Sequence, residues 1–308
     1  MTDTETVEAA KRSLGPVGAL LLNIPFAAQP AVGAQREAVR RLERAGYPTV
    51  WTNEGVGGRD VFTQLAILLA ATERLTFATG VANMWARPPE TAHGAATFLA
   101  DAFPGRFVLG LGIGYPFQAE AVGREYRRPV ATARTYLDGM AVVPPITPAL
   151  DAPYATVLAA NGPKMLEAAR DGADGALPVI HPPSFTAQVR EILGPDKLLA
   201  VGIPVALADD PAQAEDQARA FLGRLLALDG PYAAKLARLG YSAANLDTIA
   251  TEDLVAHGTP ADIARQVKAH LAAGADHVRL DPIDPGFAEG VDHLVQIAPA
   301  LGLAGAGA

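Results

Sequence analysis

The 308-residue sequence contains no cysteine. That excludes disulfides, thiolate metal centres and cysteine nucleophiles together, and it fits cytoplasmic residence. Positive charge is also in deficit, with 25 Lys and Arg against 33 Asp and Glu for a formal charge of −8. A nucleic-acid partner is therefore not expected, because binding one requires a basic face that neutralises phosphates. A small anionic ligand stays open, since amides at a helix start hold phosphate without any lysine. No uncharged apolar run approaches the length that spans a bilayer, so no membrane association is expected. Met1–Thr6 is acidic with no apolar stretch behind it, unlike a secretory signal. The six histidines show neither H-x-x-x-H nor H-x-H spacing, and no metal site is expected.

What is present is an alternation. Helical stretches end in glycine and an apolar segment starts within a few residues, as in ERAGYPTVW (43–51), ARDGADGALPV (169–179) and LAAGADHVRL (271–280). Gly46, Gly172 and Gly274 take the place of a helix C-cap. Eight segments read as strands: 17–22, 49–53, 75–80, 106–111, 155–160, 174–180, 200–207 and 277–281. Most are apolar with little polar alternation, as parallel strands buried on both faces require. Between them, 34–45 places Ala38, Val39 and Leu42 on one face, Asp60 can cap 61–72, and Pro89 opens 89–102. Thr259, Pro260 and Asp262 form a helix start, while 208–257 is long enough for two helices. The fold expected is α/β, a (β/α)8 barrel, with a doubly wound open sheet as the alternative. Residues 15–300 make one barrel domain in this reading, and the patternless 1–14 and 301–308 are flexible tails.

In a barrel, chemistry sits where strands end. Those positions carry Asn23, then Asn53 and Glu54, then Gly80 to Asn83, then Gly112 to Tyr115, then Asn161 to Lys164, then His181 and Asp281. Turn residues must follow any strand, so each position alone is ambiguous. VLGLGIGYP (108–116) has glycine at every second place. That pattern is G-x-G-x-G rather than a dinucleotide fingerprint, and it serves either a flat ligand or tight strand–helix packing. AANGPKMLEAA (159–169) runs from a strand through Asn161 and Gly162 into a helix opened by Pro163 and Lys164. Such a helix start can hold a phosphate, or can be an ordinary loop with a solvent lysine. Glu54 can act as a general acid or base, or can be a capping, ion-paired carboxylate.

WTNEGVGGRDVFTQLAILLAATERLTFATGVANMWAR (51–87), AFPGRFVLGLGIGY (102–115) and AANGPKMLEAARDGADGALP (159–178) together resemble the luciferase-like monooxygenase superfamily. Within it they are most similar to the actinobacterial F420-dependent oxidoreductases, over nearly the whole barrel. The resemblance implies a luciferase-like TIM barrel, a homodimer, and coenzyme F420 or FMN bound at the strand C-termini. Carried over, Gly112, Ile113 and Gly114 lie along the cofactor, and Asn161, Gly162, Pro163 and Lys164 hold its phosphate. Val81, Ala82 and Asn83 form a third-strand bulge, where relatives often have a non-prolyl cis peptide. Many F420-dependent relatives have Ser-Asp-His after the second-strand aromatic, yet here Asn53, Glu54 and Gly55 stand in those places. The acid/base role then falls to Glu54 beside Asn53, or to His181. The implied activity is F420-dependent hydride transfer to or from a small organic substrate. Alternatives are a two-component FMN-dependent monooxygenase, or a non-catalytic member that has lost its cofactor site, which the missing histidine and a short 127–154 region allow. A Schiff-base aldolase fits poorly, because no lysine falls inside a candidate strand.

Overall fold

All eight apolar segments become parallel strands in the computed structural model, which describes residues 3–21, 30–142, 150–228, 230–283 and 286–305. They are β1 (Val17–Leu20), β2 (Thr49–Thr52), β3 (Thr76–Thr79), β4 (Phe107–Gly112), β5 (Ala155–Leu158), β6 (Gly175–Ala176), β7 (Leu198–Leu207) and β8 (His277–Pro282). Each pairs with the next, and β8 pairs with both β7 and β1, setting His277 opposite Ala200 and Val17 opposite Val278. The sheet therefore closes into a barrel. An open doubly wound sheet would leave β1 and β8 as edges. Two short strands, Ala82–Asn83 and Ala256–Gly258, extend it beside β4 and β7. Residue 22 of the first segment and Asn23 lie outside the described residues.

Helices alternate with the strands. They are α1 (Asp3–Leu14), α2 (Val32–Arg44), α3 (Val61–Leu69), α4 (Pro89–Ala102), α5 (Pro116–Glu120) and α6 (Pro129–Met140). The second half of the chain adds α7 (Pro163–Gly172), α8 (Pro183–Leu193), α9 (Pro211–Ala227), α10 (Pro231–Arg238), α11 (Pro260–Ala272) and α12 (Phe287–Ile297). Local chemistry sets their ends. Asp60 accepts from the Thr63 amide at 2.8 Å, and Thr259 and Asp262 form a reciprocal capping box. Gly46 and Gly274 turn left-handed at φ +89° and +102°, as C-caps do. Gly172 does not. It is the last residue of α7, which leaves through an extended Ala173 instead.

The expected N-terminal tail is corrected by the structure. Residues 3–14 form α1, whose Val7, Ala10 and Leu14 are buried in the barrel's inner core with Leu20, Trp51, Val108 and Leu198. Their spacing of three and four residues is one helical face, and burying the Val and Leu side chains contributes about 1.5–3 kcal/mol each. The hydroxyls of Thr49 and Thr76 donate to the Leu14 and Ser13 carbonyls, which ties the start of β2 and β3 to the end of α1. At the other end, Leu301 and Leu303 pack on the core, and Ala304 lies against Gly46, so the expected tail from 301 is docked through these residues.

A larger apolar layer lies between strands and helices, including Val39, Leu42, Leu65, Leu69, Leu109 and Leu199. Among the described residues, no helix is long and apolar enough to cross a membrane. The barrel interior also holds polar groups. Trp51 donates its indole N–H to His277 Nε2 at 2.9 Å, while His277 Nδ1 lies 2.7 Å from the Gly15 carbonyl. That pairing requires the neutral tautomer protonated on Nδ1, and burial pushes this histidine down to about 4.

Candidate active site

The exit of β3 is not a regular strand end. Ala78 pairs with Val108 and Ala82 pairs with Leu111, so four steps along one strand match three along the other. One residue is extra, which defines a bulge. Where the ladder opens, Thr79 replaces it. Its hydroxyl donates to the Gly110 carbonyl and accepts from the Gly110 amide, both at 2.7 Å. The Gly80–Val81 peptide within this bulge is cis.

The bulge answers why glycine recurs along β4. A Cβ on Gly110 would overlap the Thr79 carbonyl oxygen, and one on Gly112 would overlap the Val81 side chain. Gly114 is left-handed at φ +59°, and its Cβ would meet the amides of Gln118 and Asn83. The glycines are thus required by protein packed against them. Gly112 and Gly114 also line a cavity.

That cavity measures about 1040 Å³ and opens at the C-terminal ends of the strands. The structure brings most sequence candidates together on its wall. Asn53 and Glu54 come from β2, Val81 and Asn83 from the bulge, and Gly112, Ile113 and Gly114 from β4. Asn161, Gly162, Pro163 and Lys164 form the far end. Ala82 is absent from the wall because its side chain points into the apolar layer, where it is buried.

His181 is also absent from the wall, against expectation. After left-handed Ile180 the chain turns into α8, and the ring packs edge-on against Phe185 and the His270 ring of α11. Burial, with Lys235 and His270 nearby, holds it well below the ordinary imidazole value. It is a neutral core residue that does not line the cavity.

Glu54 touches the cavity but its carboxylate is spent. Arg87 binds it through both terminal nitrogens, one at 2.9 Å, and the amides of Asn83 and Val61 donate at 2.9 and 3.2 Å. The side chain is only 3% exposed. Each oxygen accepts one guanidinium and one backbone N–H. This arrangement clasps the bulge to β2 and leaves no lone pair aimed at a substrate, so the ion-paired alternative describes it. Arg87 lies over the Phe62 ring and is held charged by Glu54 and Asp60, despite its burial.

Below the bulge, Arg279 of β8 pairs with Asp281 through two contacts of 2.6 Å and reaches the Gly80 carbonyl at 3.3 Å. Gly80 and Gly202 leave room for this pair. Burial raises Asp281, although Arg279 opposes the shift.

The Asn161 end of the cavity is cationic. The start of α7 carries Lys164, and Arg238 of α10 lies 3.4 Å from the Asn161 carbonyl. A helix start with two cations suits an anionic group. The same short helix contributes Tyr232, whose ring lies 6.2 Å from that of Tyr115. Burial raises both phenols above their ordinary value. α10 also carries Lys235, which sequence reasoning missed. A periodic reading could have found it, since it shares a face with Tyr232 and Leu239, three and four residues away.

The closed parallel barrel, with a helix after each strand and a bulged third strand, is a (β/α)8 barrel. Residues 23–277 match the family of luciferase-like monooxygenases, and the chain belongs to it. One relative is a Mycobacterium tuberculosis protein named a coenzyme F420-dependent oxidoreductase. It is 30% identical over 188 residues, 51% of this chain and 54% of its own. The chain thus spans about half the length of the curated relatives it matches. Among solved structures, an F420-dependent secondary alcohol dehydrogenase in complex with an F420-acetone adduct superposes with a TM-score of 0.71 at 16% identity, covering 93% of this chain and 99% of the other. The oxygenating constituent of 3,6-diketocamphane monooxygenase from Pseudomonas putida, in complex with FMN, superposes at 0.67 and 14% identity, covering 93% and 98%. Both likenesses concern the fold.

Proposed function

We propose that this protein is an F420-dependent oxidoreductase that moves a hydride to or from a small organic substrate. One observation carries the reading. A cavity of about 1040 Å³ runs from a wall at Gly80, Val81, Asn83 and 112–114 to a cationic helix start at 161–164. Bare backbone suits a flat ring, and the helix start suits the phosphate of its tail, so the residues present fit a deazaflavin. The name of the Mycobacterium relative supports F420 over FMN. FMN remains the competing cofactor because the same fold carries it in the camphane enzyme.

When bound, the deazaflavin supplies the hydride chemistry. The chain supplies the rest. Lys164, Arg238 and the start of α7 hold the anionic tail, and the bulge, fixed by Glu54 and Arg87, forms the floor for the ring. Tyr115 and Tyr232 keep their phenolic protons across the neutral range, because burial lifts both. Their side chains hydrogen-bond to each other, and the hydroxyl proton left over can be donated to a substrate oxygen, with Asn53 also on the cavity wall. No histidine lines the cavity among the described residues. Proton exchange with substrate therefore runs through water, while these hydroxyls orient it. Homodimer formation and cytoplasmic residence belong to the same reading, and size-exclusion chromatography tests the first.

Fluorescence titration tests the cofactor. Uptake of F420 at micromolar concentration, with FMN weaker, is expected. Uptake of FMN alone transfers the reading to a two-component monooxygenase. Uptake of neither overturns it.

A further inference from the structure

Lys235 is a buried amine on α10 that no catalytic role explains, and burial, with Arg238 nearby, pushes it down to about 7. It is 1% exposed, and no carboxylate pairs with it among the described residues. Its Nζ donates to three acceptors at the ends of β5 and β6. These are the Val179 carbonyl, the Ile180 carbonyl at 2.6 Å and Asn161 Oδ1 at 3.4 Å. The Tyr232 ring lies 5.7 Å away on the same helix, and Arg238 one turn on contacts the Asn161 carbonyl. An apolar side chain would fill this place without desolvating a charge. Three acceptors on one Nζ point to a role that an apolar residue cannot fill.

The hydrogen bonds show what that role is. Asn161 Oδ1 accepts from the Val179 amide at 3.1 Å and from Lys235. Both are donors, so the amide can face them only with its oxygen. Nδ2 then points to the other side, toward the cavity that Asn161 lines. Among the described residues, none accepts from it.

We propose that Lys235 is a positioning residue for the anionic end of the cavity, holding the Asn161 amide with Nδ2 turned to the ligand's phosphate. This rests on the cofactor reading above. Lys235 does not line the cavity, so it acts through Asn161.

The test compares F420 with its phosphate-free deazaflavin chromophore, by fluorescence titration of wild type, Lys235→Met and Asn161→Asp. Lys235→Met should weaken F420 by about tenfold and leave the chromophore within about twofold. Equal loss of both, or loss of neither, overturns the proposal, because general damage to the fold would not discriminate. Asn161→Asp keeps the proposal testable if the first variant fails to fold. Its carboxylate puts an oxygen where Nδ2 faces the phosphate and pairs with Lys235, so it should discriminate against F420 in the same way without lowering the thermal midpoint. Retention of F420 by Asn161→Asp overturns the proposal. Wild type that binds neither F420 nor its chromophore overturns the cofactor reading itself, and this inference with it.

Discussion

Replacing Glu54 by Gln removes one charge and one acceptor from the clasp that fixes the bulge. The carboxylate accepts four donors, two on each oxygen. Whichever oxygen becomes NH₂ then faces a guanidinium N–H and a backbone N–H, and both lose their acceptor. Arg87 keeps one bond to the remaining amide oxygen, and its one carboxylate partner among the described residues is then Asp60, which is 48% exposed. Breaking one partner of a buried, hydrogen-bonded pair costs about 3–5 kcal/mol, and the residual Asp60 contact puts Glu54→Gln at the lower end, near 3 kcal/mol. For a chain of this size that is a fall of roughly 5 °C in the thermal midpoint. Arg87→Met should cost a similar amount, and the double variant less than the sum, since the two residues share one interaction. Differential scanning fluorimetry reads all three. If Glu54→Gln keeps the wild-type midpoint while turnover disappears, the carboxylate is a proton carrier and the clasp is wrong.

Three further outcomes follow from packing and charge. Gly110→Ala drives a Cβ into the Thr79 carbonyl and should yield little folded protein, whereas Gly94→Ala on α4, with open space around it, should stabilise by about 0.5–1 kcal/mol. A midpoint for Gly110→Ala equal to wild type would mean the bulge is not packed as described. His270 and His277 are buried neutral and pushed down to about 4, so the unfolded chain takes up protons that the native state refuses. Stability is full above pH 6.5 and falls between 6.5 and 4, by roughly 3 kcal/mol per histidine. A flat midpoint between pH 6.5 and 4.5 contradicts this, and His270→Gln should shallow the slope. Arg279→Met strands Asp281 in the barrel and should cost about 3 kcal/mol, while Arg279→Met with Asp281→Leu should recover part of it. No recovery would show that Arg279 matters mainly through Gly80.

The barrel was legible because buried parallel strands are apolar runs and their helices end in caps that single residues specify. Asp60, Pro89 and Thr259 each mark a helix start that the structure repeats. Residues 3–14 escaped because a polar helix needs only Val7, Ala10 and Leu14 on one face to dock. The site was legible as a set of strand exits, since position in a barrel fixes which residues face the cavity. Orientation was not legible. Whether Glu54 points at a substrate or at Arg87 depends on a residue 33 positions away. His181 lies one residue beyond a left-handed Ile180, and that turn sends its ring into the core. The glycines of β4 were recognised as places of close approach, but what approaches is the bulge of the neighbouring strand. Lys235 stayed hidden because its acceptors lie on strands far away in sequence.

Crystals of the protein with F420 supply the most direct measurement. The account predicts ring density against residues 80–83 and 112–114, with phosphate density beside the start of α7 near Asn161 and Lys164. Ring density elsewhere, or phosphate held away from α7, would contradict it.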